Sequence, residues 1–209
     1  MISRILLTIL LVASVIFIIQ QGPASGQQPT SAAAQASPPQ GANRLAESLQ
    51  TKLDHIQENG QQPRPDETPT VMTEEEINSY IASGKVVLPQ GVKKLRMEGR
   101  SGIVTAFLNV DFDEIRAGQK SANPMLSVFS GQHDVRVEAN AAGSGGQGQV
   151  NVRDVSIDGF SVPRMALEYF VSKYITPKYP NVGIDSKFQL PDKIDMATVG
   201  YHKVTIAQK

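Results

Sequence analysis

The sequence predicts an α+β fold: a curved antiparallel sheet packed around a long hydrophobic helix, preceded by a signal or anchor segment and a disordered linker. Three observations predict it. Stretches near 102–112, 131–142 and 147–158 alternate apolar and polar residues, the period-two mark of an antiparallel sheet with one wet face. The run Val162 to Thr176 is strongly apolar and begins beside Pro163, which suits the first turn of a helix. Helix, strands, helix and strands follow one another in blocks, the segregation that defines the α+β class.

The N-terminal segment gives the chain an address. Arg4 precedes a fifteen-residue apolar run, Ile5 to Ile19, broken only by Thr8 and Ser14. Ala24-Ser25-Gly26 then supplies small residues. A basic start, an apolar middle and a small-residue end describe an export signal. At about 1.5 Å per residue the run spans about 22 Å, short of a hydrocarbon core of about 30 Å. Residues 1–26 are thus read as a signal peptide or an N-terminal anchor. A retained anchor would keep Arg4 cytoplasmic and place the rest on the periplasmic or extracytoplasmic side.

Residues 27–70 are read as a flexible Gln/Ala/Pro-rich linker carrying a short amphipathic helix over 43–58. From Gln20 to Ala42 there is no charged residue and little bulky apolar surface, too little burial to offset ordering entropy. Within 43–58, Leu45, Leu49, Leu53 and Ile56 form one apolar stripe, with Asn43 as a cap. It reads either as a frayed surface helix or as a protein-docking face.

The α+β domain is placed at 71–209. Thr73 and Glu76 form a capping-box pattern, Ile77, Tyr80 and Ile81 the inward face, and Gly84 the end of that helix. In 147–158 the apolar phase switches from even (Val150, Val152) to odd (Val155, Ile157), so a bulge is expected near Arg153-Asp154. A four-residue loop, Gly143 to Gly146, would pair Val137 with Val152, Ala139 with Val150 and Val135 with Val155. A last hairpin is expected from Lys193 to Val199 and Lys203 to Ala207, turning near Gly200.

Composition excludes several chemistries. The chain of 209 residues has no cysteine, so disulfides, thiolate catalysis and Cys-ligated zinc are out. Twenty basic and twenty acidic residues cancel, which argues against nucleic-acid capture. Gly143-Ser144-Gly145-Gly146-Gln147-Gly148 matches GxGxxG, but it lies between strands rather than before a helix and reads as a hairpin loop. His55, His133 and His202 share no ligand spacing. Asp111, Asp113 and Glu114 lack the order of a calcium loop, and no G-x-S-x-G is present. No catalytic residue, cofactor or metal site is expected.

One element carries more apolar surface than a single sheet contact needs. After Pro163 only Arg164, Glu168, Ser172 and Lys173 are polar, while Met165, Leu167, Tyr169, Phe170, Val171 and Tyr174 are apolar. A helix on one sheet needs a stripe of about 100°. Either a strongly curved sheet wraps this helix, or those six residues line a groove for an apolar ligand. Lys93, Lys94 and Arg96, in a basic stretch opposed only by Glu98, are either the charged protection of an edge strand or contacts for an anionic head group.

The start Glu76-Ile77-Asn78 with Tyr80, the run Ile157-Asp158-Gly159-Phe160-Ser161-Val162-Pro163 before the apolar helix, and Phe188-Gln189-Leu190-Pro191 resemble small exported, membrane-tethered bacterial envelope proteins. These are similar to TULIP-type lipid-binding domains, in which a curved sheet cradles a long helix. The resemblance implies a lipid-facing envelope role without catalysis. The expectation is a non-catalytic exported protein holding lipid or another apolar ligand between sheet and helix. The alternative is an envelope adaptor acting through protein contacts at Leu45, Leu49, Leu53 and Ile56.

Overall fold

The computed structural model describes residues 40–116, 129–177, 179 and 183–209. The expected signal or anchor at 1–26 and the linker as far as 39 lie outside the described residues. The fold is α+β, with a nine-stranded antiparallel open sheet and a few helices.

The amphipathic stretch forms α1 (Gln40–Gln61), longer than its apolar stripe alone marks out. Leu49, Leu53 and Ile56 are 0% exposed and belong to the same core as the sheet, whereas Leu45 is half-buried. The folded unit therefore reaches back through α1, ahead of the expected boundary at Val71. Three stripe residues are spent on the chain's own core and offer no surface to a partner. Replacing one such leucine by alanine costs about 2–5 kcal/mol, so α1 is part of the fold.

After α1 come β1 (Thr70–Thr73) and α2 (Glu74–Ala82). The expected capping box at Thr73 and Glu76 is formed in both directions. Then β2 (Val92–Arg100) and β3 (Ile103–Asp111) pair, a short α3 (Phe112–Ile115) follows, and β4 (Gln132–Ser144) pairs with β3. The inward set Val104, Ala106, Leu108 and Val110 is buried, as the alternation requires.

β4 and β5 (Gln147–Ile157) make the central hairpin. The bulge is where the phase switch put it: Glu138 faces Asp154 and Ala139 faces Val152, leaving Arg153 extra. The register differs from expectation by two residues at Val135, now opposite Ile157, and at Ala139, now opposite Val152, and by three at Val137, which crosses the bulge to face Val155. The cause is the turn. Ser144 pairs with Gln147, and Gly145 and Gly146 have φ of 59° and 74°, the two left-handed positions of a two-residue hairpin. A two-residue loop and a four-residue loop keep the same parity, so alternation alone does not separate them.

β6 (Phe160–Ser161) and β7 (Asp185–Gln189) pair with β5, and β8 (Ile194–Gly200) with β9 (Lys203–Gln208) forms the expected last hairpin. β3 and β5 overlap along β4 and so occupy its opposite edges. Past Asn140, where β3 ends, β8 takes over that edge at Ala142 and Gly143. β9 and β1 follow β8, β2 follows β3 on the same edge of β4, and β5 with β6 and β7 fills the opposite edge.

The long hydrophobic helix is corrected. α4 covers only Arg164–Phe170 and continues as one π-helical segment, Val171–Ile175. Thr176 N donates to Val171 O at 2.8 Å, five residues back. Tyr174 and Ile175, in the widened turn, are both buried, as are Ala166 and Phe170, and the Tyr174 ring centre lies 5.2 Å from that of Phe170. Met165 and Tyr169, at 69% and 42% exposed, share the outer face with Arg164, Glu168 and Lys173. α4 thus packs on one side and leaves its surplus apolar residues in solvent.

Candidate ligand-binding groove

The six residues expected to line a ligand face do not act together. Phe170 and Tyr174 are buried, Leu167 and Val171 half-buried, and Met165 and Tyr169 exposed. Between α4 and the sheet lies an apolar cavity of about 70 Å³, bordered by Leu167, Phe170 and Val171. Pockets for small ligands run from about 300 to 1,000 Å³, so this one is a packing gap. Aromatic rings fill the rest. Phe129 stacks on Phe170 at 4.2 Å, and Phe112 meets both edge-on at 5.4 and 5.6 Å. A second apolar gap of about 70 Å³ lies among Met72, Met97, Val150 and Ile206.

The large space is elsewhere. An open groove of about 850 Å³ lies where the end of α2 and the segment after it meet β2, β3 and β4. Its construction begins at Gly84, whose φ of 75° ends the helix and turns the chain out. Val86 and Leu88 then run beside the sheet and pack on the core. They give the groove its accessible apolar wall, backed by Ile81, Leu95 and Leu108, which are buried.

The three basic residues expected at a head group, Lys93, Lys94 and Arg96, line this groove. A register shift between Val92 and Lys94 places both lysines in solvent, since a bulge breaks the strict alternation of sides. The structure therefore brings the expected cations to an apolar wall, but the wall is Ile81, Val86 and Leu88, away from α4. Val86 and Leu88 carry no periodicity in sequence. Their only signal is an apolar triplet with Val87 between Gly84 and Pro89.

Most charges here are already matched. Lys93 Nζ lies 2.5 Å from Glu114 Oε1. Arg96 bonds Glu98 at 2.6 Å and holds its guanidinium 4.4 Å from the Phe107 ring centre. Arg136 reaches Glu138 at 2.7 Å and Asp154 at 3.9 Å. Asp134, which also lines the groove, accepts from Asn109 Nδ2 at 2.9 Å. Among the described residues, Lys94 pairs with no carboxylate.

Two of the three histidines and Asp111 have local partners. His133 sits between Asp158 Oδ2 at 2.5 Å and the Ser130 carbonyl at 2.7 Å. His202 Nδ1 is 2.8 Å from Glu74 Oε2, and His55 is exposed on α1. Asp111 caps α3 through the Asp113 and Glu114 amides. Among the described residues no three His, Asp or Glu side chains are grouped to hold a metal ion, and no helix is long and apolar enough to cross a membrane.

No family model, no curated protein and no solved structure matches the chain.

Proposed function

We propose that this is a non-catalytic binding protein of the bacterial cell envelope, delivered by its N-terminal apolar segment, which holds a lipid or another apolar ligand. The observation that carries the reading is the groove of about 850 Å³ that joins the apolar walls of Ile81, Val86 and Leu88 to Lys93, Lys94 and Arg96. That volume is within the range of ligand pockets, and a few polar groups on an apolar wall are what fix a ligand's orientation. The reading departs from the TULIP-type arrangement, because the ligand lies beside α2 and β2 instead of beneath the C-terminal helix. Native mass spectrometry of protein purified from an envelope fraction, followed by lipid extraction, tests it. A co-purifying lipid that is lost in Leu88→Ser, with a urea midpoint showing the variant folded under the same conditions, supports the reading. Protein that emerges ligand-free and takes up no added lipid overturns it.

A second reading, an adaptor for other envelope proteins, is favoured by one observation. Phe160, Met165 and Tyr169 are 79%, 69% and 42% exposed, large apolar groups that a protein partner would cover. Cross-linking from position 165 in cells would capture that partner.

A further inference from the structure

We infer that the occupant of the groove is an anionic single-chain amphiphile whose head group is held by Lys94, an inference that rests on the groove reading above. The argument is one of charge left over. Each of the other cations lining the groove, Lys93, Arg96 and Arg136, has a carboxylate within 2.7 Å. A paired cation must give up its partner before it can serve a ligand. Lys94 has none among the described residues and stands in solvent on the bulged start of β2.

The nearest groove carboxylate does not cancel Lys94. In the strand registers Lys94 faces Asn109, and Asn109 faces Asp134. Lys94 and Asp134 are therefore two strands apart, about 10 Å at the usual strand spacing. A backbone separation of about a Debye length at physiological salt weakens the attraction. Asp134 is also held by the amide of Asn109 between them.

The ligand also needs an apolar part. The half-buried Val86 and Leu88, backed by the buried Ile81, bind no small inorganic anion, but burying a hydrocarbon chain against them gains about 25 cal/mol per Å². One free cation beside one apolar wall matches one anionic head on one chain. It does not match a polyanion, which would need several free cations together.

The test uses the full chain and calorimetric titration with three probes: palmitate, hexadecanol and inorganic phosphate. Palmitate is expected to bind about tenfold more tightly than hexadecanol at physiological ionic strength, with phosphate alone giving no heat. Lys94→Met, which keeps the apolar stem, is expected to abolish the palmitate preference and leave hexadecanol unchanged. Lys94→Arg is expected to restore it. Equal binding of palmitate and hexadecanol overturns the anionic class while leaving the groove reading standing. A palmitate preference that survives Lys94→Met overturns the assignment to Lys94. Failure of both chain-bearing probes overturns the groove reading as well, and binding of phosphate alone overturns the need for a chain.

Discussion

Asn78 holds Met97 by both of its backbone groups. Its Nδ2 donates to the Met97 carbonyl and its Oδ1 accepts from the Met97 amide, each at 2.8 Å. The side-chain amide thus occupies the place of a neighbouring strand. Two residues on, Gly99 is closed in the same way. Its amide donates to Glu74 Oε2 at 2.9 Å, and its carbonyl accepts from the His202 amide at 2.9 Å. β2 is the outermost strand of its side of the sheet, and open edges invite pairing between chains. Asn78→Ala leaves two buried backbone groups unpaired, at a cost of about 1–3 kcal/mol. The expected outcome is a lower urea midpoint together with concentration-dependent association in sedimentation velocity. A variant that is monomeric and as stable as the parent would show that this edge needs no cover.

Glu76 joins α1 to α2. Its carboxylate accepts from Ser48 Oγ at 2.6 Å, from Lys52 Nζ at 2.7 Å and from the Thr73 amide at 2.8 Å. Burial pushes its pKa up, but the bonds from Lys52, Ser48 and Thr73 together outweigh that, and the carboxyl is held below its ordinary range. A depressed pKa contributes stability above the unfolded value of about 4.3, which is lost as pH falls through the folded value. Glu76→Gln is expected to cost about 1–2 kcal/mol at neutral pH, and the difference from the parent should shrink in acid. Urea unfolding from pH 7 down to pH 3 checks it. A difference that stays constant over that range would assign the effect to shape and not to charge.

The C-terminal end of α1 is sewn to the β7–β8 turn and to β9. Gln208 Nε2 donates to Ile56 O at 2.7 Å and to Asp192 O at 2.6 Å, and Asn59 Nδ2 donates to Gln208 Oε1 at 2.9 Å. The approach is close enough to require Gly60, where a Cβ would stand 2.4 Å from Asp192 O. A backbone oxygen cannot rotate aside, so Gly60→Ala must move the helix end or the turn. Overpacking of this kind costs about 1–3 kcal/mol, only partly offset by alanine's helix preference of about 1 kcal/mol. Faster amide exchange is expected over Ile56–Gln61, with the centre of the sheet unchanged. Unaltered protection there would mean that α1 is fixed by Leu49 and Leu53 alone.

Parity was the most legible property of this chain, because a residue's side of a strand is set by counting. The inward set of β3, the capping box at Thr73 and the surplus residue Arg153 all follow from local order. Properties that depend on what lies opposite were not legible. The stripe of α1 states that Leu49, Leu53 and Ile56 are buried, but not that the chain's own core buries them. Met165 and Tyr169 carry apolar side chains, and hydropathy cannot say that Tyr174 and Ile175, in a π turn, lie inside while those two stay outside. The groove was half legible. Lys93, Lys94 and Arg96 stood out as unbalanced charge, while Val86 and Leu88 become a wall only after Gly84 turns the chain beside the sheet.

His133 and Asp158 close the start of β4 onto the β5–β6 turn. Both ring nitrogens of His133 face acceptors, Asp158 Oδ2 at 2.5 Å and Ser130 O at 2.7 Å, so the ring satisfies both only when both nitrogens carry protons. The hydrogen bond to Asp158 raises the histidine pKa above its ordinary value; partial burial opposes this, and the Ser130 carbonyl adds to it. Asp158, in turn, is held below the usual carboxylate range, first by His133 and then by the Asp134 amide. The signs define a window. The raised histidine contributes stability fully below its unfolded pKa of about 6.5, and that contribution is lost as pH rises through the folded value. The depressed aspartate contributes above about 3.9 and loses its share as pH falls through its own folded value. The clasp is therefore at full strength between about pH 4 and 6.5. Asp158 has φ of 49° and Gly159 of 84°, and the turn they form contributes Gly159 to the groove lining. His133→Gln, which keeps one donor, is expected to lower the urea midpoint at pH 5 and to leave it close to the parent at pH 8.5. An NMR titration of the His133 ring should give a pKa above 6.5 that drops in Asp158→Asn. Equal losses at both pH values, or a ring that titrates at its ordinary value, would show that the two residues are neighbours without coupling.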